Sequence, residues 1–125
     1  MLCLESVPGR FALAKLAPHA VVPAWVDGPG FTSVTRTDRE LSIVAPASRV
    51  PAELAATDEP LVALRVRGTL DLSLVGVLAA LSRPLADAGV AIFVLSTVET
   101  DYLFVAESAA ERTVAALRNA GLPVD

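Results

Sequence analysis

Histidine, cysteine and lysine each occur once in this chain, as His19, Cys3 and Lys15. One histidine and one cysteine, well separated, give no metal-ligand cluster. A lone cysteine closes no intrachain disulfide, and Cys3, with no cation nearby in sequence, reads as a small buried hydrophobe rather than a reactive thiol. His19 sits in a loop between Pro18 and Ala20 without a nucleophile beside it, so no catalytic residue is assigned and the chain is not expected to be an enzyme. Basic residues are outnumbered, 10 against 14 acidic, for a net charge of −4. That leaves no basic stripe for nucleic acid. Phe93, Tyr102 and Phe104 offer ring faces but no basic surround, which argues against RNA binding. The longest near-apolar run, Leu70–Leu81, contains Asp71 and is too short to span a bilayer. No basic region followed by an apolar run opens the chain, so no signal peptide is expected and the cytoplasm is the expected compartment. No cofactor motif is present, and no membrane partner is expected.

What is present is apolar. Hydrophobic residues make up 54% of the 125 and charged residues only 19%. Such a chain buries a substantial core and has apolar surface left over, which favours a subunit interface.

The first half reads as strands. Leu2–Val7 and Phe11–Leu16 are predicted as two strands separated by a Pro8-Gly9 turn. Phe31–Thr37 and Leu41–Ala45 flank the polar turn Thr37–Glu40 and predict a hairpin. One or two helical turns are expected around Ala52–Ala56, and Asp58-Glu59-Pro60 is the best internal boundary. Beyond it, Leu61–Val66 alternates as a strand with one wet face. A helix is predicted from about Ser73 to Ala88, capped by Asp71 or Ser73 and buried through Leu74, Leu78, Leu81 and Leu85, with Gly89 as its stop. Ala91–Leu95 and Tyr102–Val105 follow as strands. Ser108 and Glu111 predict a capping box for a last helix that turns Val114 and Leu117 inward and ends at Gly121. The second half therefore reads strand, helix, strand, strand, helix. It lacks one strand, which the strand-rich first half is expected to supply.

Two places can hold a small zwitterion. At the loop into the helix, around Asp71 and Ser73, free N–H groups and the positive dipole end suit a carboxylate. At the Ser96–Asp101 turn, Asp101 can accept from an ammonium, and Ser96 and Thr97 can add hydroxyls. Leu72, Leu74, Val98 and Ile92 are expected to line the side-chain region. The plainer alternative is that Asp71 and Ser73 only cap a helix and Asp101 only shapes a turn.

The blocks FTSVTRTDRELSIVAP and GTLDLSLVGVLAALSRPLADAGVAIFVLSTVETDYLFV resemble the ACT-domain family. The similarity is to small bacterial proteins of two ACT-like halves and to the ACT repeats of cytosolic arginine sensors. The resemblance implies an α+β fold: ferredoxin-like βαββαβ, as tandem ACT-like units sharing one compact core. The implied halves are residues 1–58, degenerate and strand-rich, and residues 59–125. It implies a non-catalytic, allosteric amino-acid sensor. Asp71, Leu72, Ser73 and Leu74 match the family's helix-leading loop. Thr97, Val98 and Asp101 match its turn, and Ala91 and Ile92 match strand backbone that faces a neighbouring unit. Leu74 stands where arginine-binding relatives place an acidic side chain. The implied ligand is therefore a free amino acid with a small or apolar side chain rather than arginine. The alternative is a ligand-free scaffold that acts by homodimerisation or by docking onto a partner enzyme. In that reading Arg10, Arg36, Arg39, Arg65 and Arg67 make interface ion pairs with Asp27, Asp38, Glu40 or Glu53, or are solvated.

Overall fold

The computed structural model describes residues 2–125. In chain order the elements are β1 (Leu4–Leu16), β2 (Ser33–Arg36), β3 (Leu41–Pro46), β4 (Leu61–Val66), α1 (Val77–Asp87), β5 (Phe93–Ser96), β6 (Asp101–Ala106) and α2 (Ala110–Asn119). Short 3₁₀ turns occupy Ala24–Val26, Ala52–Leu54 and Glu107–Ala109. Two compact units divide the chain. One joins the segment up to Pro8 with Val62–Asp125; the other is Gly9–Leu61. The sequence division at residue 58 differs from this partition at both ends.

Pro8-Gly9 does not turn the chain, as the sequence suggested. β1 runs straight through, with Gly9 at a φ of +97° that suits glycine. The exposed stretch Pro8–Arg10 marks the passage from one unit to the other. A proline without an N–H is tolerated where strand pairing is interrupted.

In the first unit the strand order is β1-β4-β6-β5, with β5 paired antiparallel to β6. The connectivity from β4 is βαββα. The start of β1 stands beside β4 and supplies the strand the second half lacks. The C-terminus adds a fragment, a parallel bridge between Leu4 and Val124 secured by Leu4 N–H to the Pro123 carbonyl at 2.8 Å. Leu64 and Val66 of β4, Leu103 and Val105 of β6, Leu81 and Leu85 of α1 and Leu117 of α2 form one apolar cluster. Each such side chain contributes roughly 1.5–3 kcal/mol of burial.

In the second unit the order is β2-β3-β1, antiparallel throughout. Its cluster holds Ala12, Ala14, Val26, Leu41, Ile43, Ala45 and Val50. Each unit thus has its own apolar cluster, where the sequence reading expected one core for both. The hairpin predicted around Thr37–Glu40 is present. The 52–56 segment makes only a 3₁₀ turn, with Ala55 bridged to Ala14.

The two hairpins have the same build. β2 pairs with β3 as Ser33↔Val44 through Arg36↔Leu41, and β5 pairs with β6 as Phe93↔Phe104 through Ser96↔Asp101. The registers coincide after a shift of sixty residues. The turns coincide as well. Thr37 N–H donates to the Glu40 carbonyl at 2.9 Å, and Thr97 N–H to the Thr100 carbonyl at 2.9 Å. In each turn the threonine hydroxyl accepts the N–H groups two and three residues on, Arg39 and Glu40 in one, Glu99 and Thr100 in the other.

Both helices start later than the sequence predicts. Gly76, at φ +84°, precedes α1, which has no side-chain cap. Asp71 does not cap the helix; its carboxylate is used inside the loop. Only the second half of the leucine stripe is buried, with Leu81 and Leu85 fully enclosed and Leu74 and Leu78 exposed. Ahead of the last helix Glu107–Ala109 forms a 3₁₀ turn, so that α2 begins at Ala110, after the predicted start at Ser108. The stops at Gly89 and Gly121 are present, at φ +70° and +84°. Val90 N–H reaches the Leu85 carbonyl and Leu122 N–H that of Leu117, the six-to-one bond of a left-handed helix end.

Arginines of the two units do different work. Arg65 Nε donates to Glu5 Oε1 at 2.5 Å and Arg67 Nε to Glu5 Oε2 at 3.4 Å; Arg67 also pairs with Asp125. Arg36 and Arg49 instead donate to backbone carbonyls. Within the chain, Glu5 and Asp125 are the ion-pair partners of Arg65 on β4 and of Arg67 just beyond it.

Candidate functional site

The β5–β6 turn is closed by the side chain of Thr97. Thr97 Oγ1 accepts two N–H groups and donates to the Thr100 carbonyl at 3.2 Å, closing a four-residue turn. Thr100 is 2% exposed and its hydroxyl donates to the Val66 carbonyl of β4 at 2.7 Å. The turn is thereby anchored to the strand that feeds the helix-leading loop. Leu70 N–H of that loop donates to the Glu99 carbonyl at 2.8 Å, and Thr69 Oγ1 to Glu99 Oε1 at 3.3 Å. These bonds join loop and turn into the two walls of a cavity of about 200 Å³.

Leu70, Asp71, Leu72, Leu74 and Val77 line one wall, and Ser96, Thr97, Val98, Glu99, Thr100 and Asp101 the other. The cavity therefore brings together Asp71, Leu72 and Leu74 with Thr97, Val98 and Asp101 of the residues singled out from sequence. Ser73 stands behind the wall: its N–H and Oγ both donate to Asp71 Oδ1, at 2.8 and 2.7 Å. Ala91 and Ile92 do not line the cavity. Ala91 is exposed before β5, and Ile92 packs on the first unit's apolar cluster. Leu70, Val77, Glu99 and Thr100 are lining residues the sequence reading left out. Thr100 had a signal, a hydroxyl at the end of a hairpin turn, whereas Leu70 and Val77 look like any helix-flanking apolar residue.

Charge in the cavity has one sign. Its ionisable lining residues are Asp71, Glu99 and Asp101, with no lysine, arginine or histidine. The Ser73 hydroxyl, and then the Ser73 N–H, hold the Asp71 carboxyl below the usual aspartate range. Asp101 is half-buried as the first residue of β6. The first turn of α1 carries no acidic side chain and the helix no side-chain cap, so side chains satisfy none of its first N–H groups. A positive group at Asp101 and a negative one at the loop would both be met. Around the rim, Leu72 (79%), Val75 (96%) and Val98 (81%) are strongly exposed, and Leu74 and Leu78 are exposed as well. Among the described residues no group of histidine, cysteine and carboxylate side chains could hold a metal ion. No helix among them is long and apolar enough to cross a membrane.

A family model described as ACT domain matches residues 56–119, the segment that builds both walls. The chain belongs to the ACT-domain family. A second family model, describing an N-terminal domain, matches residues 9–53, close to the second compact unit. Among solved structures, an Agobacterium tumefaciens protein from structural genomics is similar at 34% identity, with a TM-score of 0.90 over 99% of this chain and 92% of that one. A Vibrio cholerae protein of unknown function, described as a possible transport protein, matches at 18% identity and TM-score 0.75, over 95% and 89% of the two chains. Aspartokinase alpha and beta subunits match at 17% identity and TM-score 0.55, over 92% and 98%. At those lower identities the last two share the fold alone. No curated protein matches the chain. The match supports a regulatory domain of ACT type.

Proposed function

We propose that this ACT protein binds one free amino acid with a small or apolar side chain, without chemistry, in the cavity between the helix-leading loop and the β5–β6 turn. The observation that carries the reading is the lining itself. Asp71 stands on the loop wall and Glu99 and Asp101 on the turn wall, Leu70, Leu72, Leu74, Val77 and Val98 supply apolar lining, and the helix that follows the loop has no side-chain cap. Asp101 takes the ammonium, and backbone N–H groups of the loop and helix start take the carboxylate. Leu74 meets an aliphatic side chain and gives a guanidinium nothing to pair with. Small concave sites of this kind, mostly apolar with a few fixed polar groups, suit small ligands.

Titration calorimetry with alanine, valine, leucine and arginine tests this. A hydrophobic member of the set binds the wild type, and Asp101→Ala weakens it at least tenfold, the scale of a lost charged hydrogen bond of about 1.5–3 kcal/mol. Equal affinity in Asp101→Ala, with the fold intact, removes Asp101 from the site. A second reading, contact with another copy or a partner enzyme, rests on the exposed Leu72, Val75 and Val98 at the rim. In the sensor reading the same rim transmits occupancy to that partner.

A further inference from the structure

The hairpins coincide after a shift of sixty residues, and each lies beside a six-residue stretch of strand: Phe11–Leu16 beside β3, Leu61–Val66 beside β6. The loop that leaves each stretch is hydrogen-bonded to its hairpin, Leu70 to Glu99 in the first unit and Arg36 to Pro18 and Ala20 in the second. In the first unit, Leu70, four residues past Val66, forms the cavity wall opposite Ser96. In the second unit, Ala20 stands four residues past Leu16, and the counterpart of Ser96 is Arg36. The Arg36 guanidinium donates to the Pro18 carbonyl and, at 2.9 Å, to the Ala20 carbonyl. A cation is therefore held against the carbonyls of this loop, where the first unit leaves a cavity lined by carboxylates and no cation.

We infer that Arg36 occupies the second unit's counterpart of the cavity, so that each chain offers a single ligand site, and that the residue at position 96 decides whether that site is open. Arg36 fills the space at this loop with a side chain tethered to the chain itself. Ser96, too short to reach the loop carbonyls, leaves the equivalent space to a free molecule. The stoichiometry in this inference rests on the amino-acid reading above; the role of Arg36 does not.

Two experiments separate the parts. In the first, hydrogen exchange is followed in wild type and Arg36→Ala. Protection of residues 17–22 falls at least tenfold in the variant while residues 67–76 are unchanged, and millimolar methylguanidine restores it. Unchanged protection in Arg36→Ala, or no recovery with methylguanidine, overturns the occupancy of that site by Arg36. In the second, an amino acid that binds the wild type is titrated into wild type and Ser96→Arg. One site per chain is expected in the wild type and none in Ser96→Arg, whose circular dichroism matches the wild type. Two sites per chain, or full affinity in Ser96→Arg, overturns the inference. If no amino acid binds the wild type, the amino-acid reading fails, and the exchange experiment still decides the role of Arg36.

Discussion

Two loops leave comparable strands of this molecule and are hydrogen-bonded to matching hairpins, yet they are held in opposite ways. The loop after β1 is pinned by side chains. Arg36 takes the Pro18 and Ala20 carbonyls, and Arg49 takes those of Trp25 (3.1 Å), Pro29 (2.6 Å) and Val26 (3.3 Å). The loop after β4 has no arginine reaching into it. It is held by the Leu70–Glu99 backbone bond and by its own Asp71–Ser73 turn, and it turns Leu72, Leu74 and Val75 to solvent. Apolar groups facing water and an uncapped helix start contribute nothing to folding stability. Their presence in one loop, when arginines close the other, is what supports the site proposed in the first unit.

This contrast can be broken or sharpened by substitution. The largest effect is expected in the first unit's apolar cluster, where Leu81 is fully buried on α1. Leu81→Ala costs about 2–5 kcal/mol in denaturant unfolding, whereas Leu78→Ala, one turn earlier and exposed, costs about 0.5 kcal/mol or less. Next comes the pinned loop. Arg49→Ala strands three carbonyls and costs about 2 kcal/mol. Gly28→Ala acts on the same contact, since a Cβ at Gly28 would lie 2.9 Å from Arg49 Nη1 at a backbone φ of +145°. In the open loop, Val75→Ser and Leu72→Ser change stability by no more than about 0.5 kcal/mol. A cost comparable to that of Arg49→Ala would mean this loop is scaffold.

The smallest effect is electrostatic. Because Ser73 depresses the Asp71 pKa in the folded state, the turn's contribution is fully present above the ordinary aspartate pKa of about 3.9. It is lost as pH falls through the lower folded value. Carboxyl-detected NMR titration gives Asp71 a midpoint below that of a free aspartate, and Ser73→Ala moves it back up. A midpoint unaffected by Ser73→Ala contradicts the turn described here.

Local patterns in the sequence carried far in some places. The Thr37–Glu40 hairpin, β4, β5, β6 and the glycine helix stops were legible because alternation, turn residues and positive-φ glycines act over a few residues. Asp71 and Ser73 showed the limit. The same residue types cap a helix or close a loop on themselves, and Gly76, at φ +84°, made the second outcome the real one. Pro8-Gly9 misled for a different reason. A strand that passes from one unit to the other is defined by distant neighbours, which no short window contains. The candidate site was readable as two segments, and their meeting depended on Thr100 reaching Val66 and Leu70 reaching Glu99. Both are long-range bonds invisible to spacing.

The most direct test of the account is a thermal-shift panel of the twenty free amino acids at millimolar concentration, run on wild type and Asp101→Ala. A ligand present at 100 times its dissociation constant adds about 2.7 kcal/mol of stability. The account predicts a clear shift with a small or apolar amino acid, none with arginine, and loss of the shift in Asp101→Ala. A flat wild-type panel, with the assay validated on a known binder, would contradict it and leave the exposed rim as a protein-contact surface.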